Sequence, residues 1–175
     1  MINNDTKIEY RKATLSDTKN IAILHFNTIN NSLNDIVPPI CKFSELELTL
    51  EAVEKNIEEM VQDPDHDIIV AILDNKIIGF LSLWCETYTD DLVPAPYSVI
   101  EFIEVDPEYR SLGIGQSLMQ EAERIAKSKN HQYLDLQVWE TNKIAIRLYE
   151  RNDFTPIARR IVKKLYNKCY ASKIY

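Results

Sequence analysis

The run Val105-Asp-Pro-Glu-Tyr-Arg-Ser-Leu-Gly-Ile-Gly115 constrains this chain more than any other segment. It joins an apolar, β-branched stretch, Val99 to Val105, to a helical pattern over Gly113 to Asn130 with Leu118, Ala122 and Ile125 on one face. Asp106-Pro107 ends the strand. The chain has only three glycines, Gly79, Gly113 and Gly115, and two of them are two residues apart. Glycine loses more backbone freedom than any other residue, so its use here points to close backbone approach or positive φ. A strand, a glycine turn and a helix N-terminus in that order attract phosphate, because the unpaired N–H groups of the first turn and the positive dipole end bind anions. Arg110 would add charge-assisted hydrogen bonds. Taken alone, Arg-x-x-Gly-x-Gly reads equally well as a plain turn. Other phosphate loops fit worse. Gln116-Ser117 stands where a P-loop needs Lys followed by Ser or Thr, and Leu118 where a dinucleotide fingerprint needs a third small residue.

The rest of the chain reads as alternating strands and helices. Ile8 to Ala13 alternates like a strand, and Ser16 or Asp17 caps a helix carrying Ile21 and Leu24. Asn30 to Phe43, with Pro38 and Pro39, is a loop. Ser44 with Glu47 forms a capping-box pattern for a helix with Leu46, Leu50, Val53, Ile57 and Met60 inward, ending near Asp63-Pro64. Asp67 to Leu73 and Lys76 to Thr87 are strands joined by Asp74-Asn75, a pair that tolerates the left-handed turn of a tight hairpin. A polar, proline-bearing connection runs from Tyr88 to Tyr97. Beyond Asn130, Tyr133 to Val138 is a strand, Thr141 to Arg151 a helix, and Phe154 to Leu165 a weakly alternating final strand. The order predicts a mixed α/β sheet. No repeat or low-complexity tract interrupts it.

Composition narrows the partners. At 175 residues the chain fits one domain, 1–175, and its 45% hydrophobic and 27% charged residues suit a folded, soluble one. A net charge of −7 disfavours nucleic acid phosphate and anionic membrane as partners. Cys41, Cys85 and Cys169 are odd in number and widely spaced, which suits a reducing cytoplasm, and the N-terminus shows no signal segment. The longest apolar stretches, such as Ile68 to Leu73, are too short to span a bilayer. His25, His66 and His131 show no ligand spacing, so no metal is expected.

In its second half the sequence resembles the GNAT superfamily of acyl-CoA-dependent N-acyltransferases. The resemblance rests on Val105 to Gly115, like the family's strand, turn and R/Q-x-x-G-x-G/A loop, and on Asn142-Lys-Ile-Ala145 with Leu148-Tyr149-Glu150 and Phe154. It covers about 60 contiguous residues, Val99 to Phe154. It implies a single GNAT-like α/β (α+β) domain with a central, mixed, mostly antiparallel twisted sheet and flanking helices, and acetyl-CoA as cosubstrate. It further implies that the backbone from Ser111 and Leu112 through Gly113, Ile114 and Gly115 to Gln116 holds the coenzyme A pyrophosphate beside Arg110. The backbone of Ile103, Glu104 and Val105 would pair with the pantetheine arm. Asn142 would contact that arm or its neighbours, Ala145 would leave room for it, and Tyr149 would protonate the departing thiolate. A half-buried core tyrosine is the other reading of Tyr149. One departure from the family stands out: Asp153 precedes Phe154 where glycine is common, and aspartate tolerates the left-handed conformation at modest cost.

Acyl transfer to an amine needs a neutral nucleophile, so a base must take its proton. Strand alternation places Glu101 and Glu104 on opposite faces of one strand. Glu101 occupies the family's usual base position, with a plain surface carboxylate as the alternative. Trp84, Glu86 and Tyr88, with Asp90, Asp91 and Tyr97 nearby, would suit a cationic acceptor, or else form an ordinary solvated loop. The expected activity is transfer of an acetyl group to a primary amine of a small molecule or peptide, by direct attack in a ternary complex. A non-catalytic coenzyme A sensor is the alternative. The oligomeric state, a homodimer included, is left open.

Overall fold

The structure is a computed structural model that describes residues 7–32, 36–37, 48–88 and 96–163. Its elements are β1 (Glu9–Lys12), α1 (Thr18–Ser32), α2 (Leu50–Gln62), β2 (His66–Leu73), β3 (Lys76–Tyr88), β4 (Tyr97–Val105), α3 (Ile114–Ser128), β5 (Tyr133–Leu136) and α4 (Lys143–Arg151). The strands form one sheet in chain order. The first four pair antiparallel, and β5 lies parallel to β4. This is the mixed, mostly antiparallel α/β architecture predicted above.

The sheet is two-sided because its long strands alternate apolar residues between two helical layers. Ile68, Val70, Ile77 and Phe80 pack under α1 and α2 with Ile21, Leu24, Val53, Ile57 and Met60. Ile69, Ala71, Leu81, Leu83 and Ile100 pack on the other face with Ile114, Leu118, Met119 and Ala122 of α3; Tyr149 and Phe154 lean on the same cluster. The β2–β3 hairpin turns through Asp74 and Asn75, at φ 48° and 62°, the left-handed pair that the sequence predicts.

Local chemistry moves several boundaries. The first helix follows a short 3-10 turn over Leu15–Asp17, and the cap is reciprocal. Asp17 accepts from the N–H and hydroxyl of Thr14 while Arg11 clamps it at 2.7 and 2.9 Å, so Asp17 serves from inside the turn. That helix runs on to Ser32, past the predicted loop start at Asn30. The second helix is capped by Thr49, whose hydroxyl accepts from Ala52 N–H; the predicted Ser44–Glu47 box lies outside the described residues. Over its described part the final strand predicted from Phe154 to Leu165 is not formed: residues 155–163 take no regular structure, and Ile157, Ile161 and Val162 are exposed. Its alternation was too weak to bury one face, and a strand without a buried face has nothing to fix its register. No helix among the described residues is long and apolar enough to cross a membrane.

Candidate functional site

Two features open the centre of the sheet. The first is a divergence of strands: among the described residues β4 pairs with β5 from Tyr97 to Ile100 only, so Phe102 to Val105 have a strand partner on the β3 side alone. The second is the turn that follows. Asp106 accepts from Glu108 N–H and so starts the 3-10 turn Pro107–Tyr109, after which the chain swings into α3. Ser111 and Gly113 both take left-handed φ, 66° and 79°. At Gly113, the residue before α3, a Cβ would meet nothing within 4 Å, so the glycine is there for its backbone angle and leaves the space ahead of the helix clear. The third glycine, Gly79, lies opposite Val105, where a Cβ would come 2.9 Å from the Glu104 carbonyl oxygen and force β3 and β4 apart.

Among the described residues, the N–H groups of Ser111 to Gln116 donate no hydrogen bond. They lie at the positive end of a 15-residue helix, where an anion is favoured. Arg110 is exposed and donates from Nε to the Val105 carbonyl at 3.2 Å, which keeps its guanidinium at the end of β4. Gly115 faces Leu148 of α4, bringing that helix against the start of α3.

Glu101 sits at a β-bulge. Ser82 pairs with Phe102 and Leu83 with Ile100, so Glu101 opposes no residue of β3. The extra residue breaks strict alternation. The expectation that Glu101 and Glu104 point to opposite faces is therefore wrong. Glu101 Oε2 reaches Ser82 Oγ at 3.2 Å and His66 Nε2 at 3.1 Å, and Glu104 Oε1 reaches His25 Nδ1 on α1 at 2.7 Å, all on the α1/α2 face. His66 Nδ1 lies in turn 2.9 Å from Asp63 Oδ2, and the His66 ring stacks on Trp84 at 15° between planes.

Tyr149, on α4, packs on the cluster under α3, with Phe154 5.8 Å away between ring centroids. Burial pushes its phenol up to about 12. Its hydroxyl has no hydrogen-bond partner among the described residues. Asp153, at φ 61°, provides the left-handed exit from α4 that glycine would otherwise supply.

The sequence pattern of the acetyltransferase (GNAT) family matches residues 30–154, most of the chain. The chain belongs to the acetyltransferase (GNAT) family. An uncharacterised N-acetyltransferase of Methanocaldococcus jannaschii is 32% identical over 95 residues, 54% of this chain and 41% of that protein, so the match spans less than half of the relative's length. Two solved structures share the fold at low identity. The aminoglycoside N-acetyltransferase AAC(6')-Iy in complex with CoA has a TM-score of 0.75 at 16% identity, covering 94% of this chain and 98% of that one. The ribosomal-protein-alanine N-acetyltransferase of Brucella melitensis biovar Abortus has 0.64 at 16%, covering 91% and 100%.

In this GNAT chain some expected site residues also have structural work. Asn142 caps α4, its Oδ1 accepting from Ala145 N–H at 3.1 Å, so that oxygen is already engaged. Ala145 is half-buried one turn on. Ile103 and Val105 lean on the α3-side cluster, and the Glu104 side chain is tied to His25, with its Oε2 buried and without a partner among the described residues. Trp84 is half-buried beside His66. Glu86 and Tyr88 belong to β3, but their side chains, like Asp90 and Asp91, lie outside the described residues. No group of three metal-binding side chains occurs among the described residues.

Sequence reasoning missed His66 and His25. Both were screened for metal spacing, whereas each is paired with a carboxylate of β4 that is 35 or 79 residues away in sequence. The usable signal for His66 was its place at the start of β2, directly across the hairpin from Trp84.

Proposed function

We propose that this protein transfers an acetyl group from acetyl-CoA to a primary amine of a small molecule or peptide, by direct attack within a ternary complex. The observation that carries the reading is, among the described residues, the row of undonated N–H groups from Ser111 to Gln116 at the start of α3, immediately beyond a stretch of β4 with no strand on its β5 side. In this reading those groups and Arg110 hold the pyrophosphate, and the open backbone of Ile103 to Val105 pairs with the pantetheine amides as an added strand would. That the GNAT neighbour AAC(6')-Iy was crystallised with CoA supports the assignment.

Glu101 is the base. Its position on a bulge, hydrogen-bonded to Ser82 and His66 and 30% exposed, leaves a carboxylate oriented yet accessible to an amine. Tyr149 serves the leaving group. With its phenol pushed up to about 12, it stays protonated and holds its proton more tightly than a thiol of about 8.5, so it stabilises the thiolate by donating a hydrogen bond rather than by giving the proton up. Direct attack is favoured over an acyl-enzyme because the one cysteine among the described residues, Cys85, is buried, and burial pushes its thiol up. Trp84 with Glu86 and Tyr88 of β3 would face the amine. The chain is expected to act in the cytoplasm without a metal.

Initial rates measured at several concentrations of both substrates test the order of events. Direct attack gives intersecting double-reciprocal lines. Parallel lines would establish an acyl-enzyme and remove the ternary complex from the account.

A further inference from the structure

Asp63, His66 and Glu101 form a continuous hydrogen-bonded row from the end of α2 to the bulge of β4, at 2.9 and 3.1 Å. The His66 side chain is the least exposed of the three at 14%, between Glu101 at 30% and Asp63 at 40%. A carboxylate can only accept, so Asp63 fixes a proton on His66 Nδ1 and turns Nε2 toward Glu101. Neutral His66 then presents a lone pair to Glu101, and the two atoms 3.1 Å apart are jointly satisfied only when one proton lies between them. Trp84 stacks along the imidazole and Ser82 donates to the same carboxylate oxygen, so neither partner turns away freely.

We infer that His66 and Glu101 hold and release the amine's proton as one unit, with Asp63 orienting the imidazole, so that His66 and Asp63 are positioning residues of the transfer reaction. The inference rests on Glu101 being the base. Before attack the unit holds Glu101 as carboxylate and His66 as neutral imidazole. The substrate ammonium loses one proton, its N–H bond breaking as an O–H bond forms at Glu101, and that proton is then shared with His66 Nε2. The freed amine pair forms the new C–N bond as the thioester C–S bond breaks and its electrons leave on sulfur; the nitrogen then gives its second proton to that thiolate, leaving a neutral amide and free thiol. The unit returns to its basic form by passing that shared proton to water at Glu101, whose side chain is 30% exposed, while Asp63 keeps the proton on Nδ1.

Charged and titratable groups near the unit include Asp65, whose N–H bonds to Asp63 beyond α2, and the Glu104–His25 pair on the same sheet face. The Asp65 N–H bonds to Asp63, and His66 adds to the effect, holding that carboxyl below its usual range. Asp63 therefore remains an ionised acceptor near neutral pH.

Three variants test this through the pH dependence of kcat/KM with a saturating acyl donor. Asp63→Asn keeps an acceptor for Nδ1–H but removes one negative charge, so the acid-side midpoint should move to lower pH by about 0.5 to 1 unit. His66→Gln keeps a hydrogen-bond donor near Glu101 but cannot titrate; kcat/KM near neutrality should fall about tenfold or more and the midpoint should move. Glu101→Gln should abolish the acid limb. If Glu101→Gln loses the limb while Asp63→Asn and His66→Gln keep the parental midpoint, Glu101 acts alone and the inference is overturned with the base assignment intact. A normal acid limb in Glu101→Gln overturns both. Because Asp63 is largely at the surface, Asp63→Asn decides the matter even if His66→Gln does not fold.

Discussion

The imidazole Nε2 of His66 lies 3.1 Å from Oε2 of Glu101, on a strand that the bulge at Glu101 has thrown out of alternation. That bulge turns Glu101 toward His66 and away from the face that simple strand alternation assigns to it. The proposed pyrophosphate loop, Ser111 to Gln116, lies on a separate turn, so mutations can address binding and chemistry one at a time.

Replacing Gly113 isolates binding. Asparagine tolerates the left-handed φ of 79° better than other side chains, so Gly113→Asn should fold with a melting temperature close to the parent's while its side chain enters the clear space ahead of α3. Calorimetric titration should show coenzyme A affinity down at least about tenfold, a loss of roughly 1.4 kcal/mol. Parental affinity would place the pyrophosphate elsewhere.

Removing the Tyr149 hydroxyl isolates the leaving group. The hydroxyl has no partner among the described residues and the ring provides the packing, so Tyr149→Phe should leave stability and coenzyme A affinity nearly unchanged. A lost hydrogen bond to the developing thiolate should lower kcat by about 10² or more. Full kcat in this variant would make Tyr149 a core residue.

How much of this was legible beforehand depends on the range of each interaction. The α2 face of Val53, Ile57 and Met60, the Asp74-Asn75 turn and the phosphate-loop glycines were readable because each is set by neighbours a few residues away. The Asp153 exit from α4 was legible for the same reason. The bulge was not, since it arises from register between β3 and β4, and single-strand periodicity carries no record of a partner's register. The pairings of His66 with Glu101 and His25 with Glu104 were hidden for the same cause: each histidine lies on a different element from its carboxylate. Asn142 was legible as a special residue, but its capping bond to Ala145 N–H shows that the signal was partly one of helix initiation.

Acid stability follows from the clamp at the start of α1. The Arg11 guanidinium, helped by the N–H and hydroxyl of Thr14, holds the Asp17 carboxyl at about 2, below its unfolded value of about 3.9. A depressed carboxyl stabilises the fold above the unfolded value, and that contribution is lost as pH falls from about 4 through about 2. It is on the order of 2 kcal/mol at neutrality. Urea unfolding should show Asp17→Asn destabilised at pH 7, with a flatter stability profile than the parent between pH 4 and 2. Identical profiles would mean that the clamp makes no net contribution.

The central claim is amine-dependent turnover of acetyl-CoA, and release of free thiol measured across a panel of primary amines, with the acetylated products weighed by mass spectrometry, tests it most directly. The account predicts thiol release that requires an amine, matches the acetylated product mole for mole, and disappears with Glu101→Gln near neutral pH. Tight coenzyme A binding with no amine-dependent thiol release from any member of the panel would contradict it, and would make the protein a coenzyme A binding module that keeps the loop at Ser111 to Gln116 without the reaction.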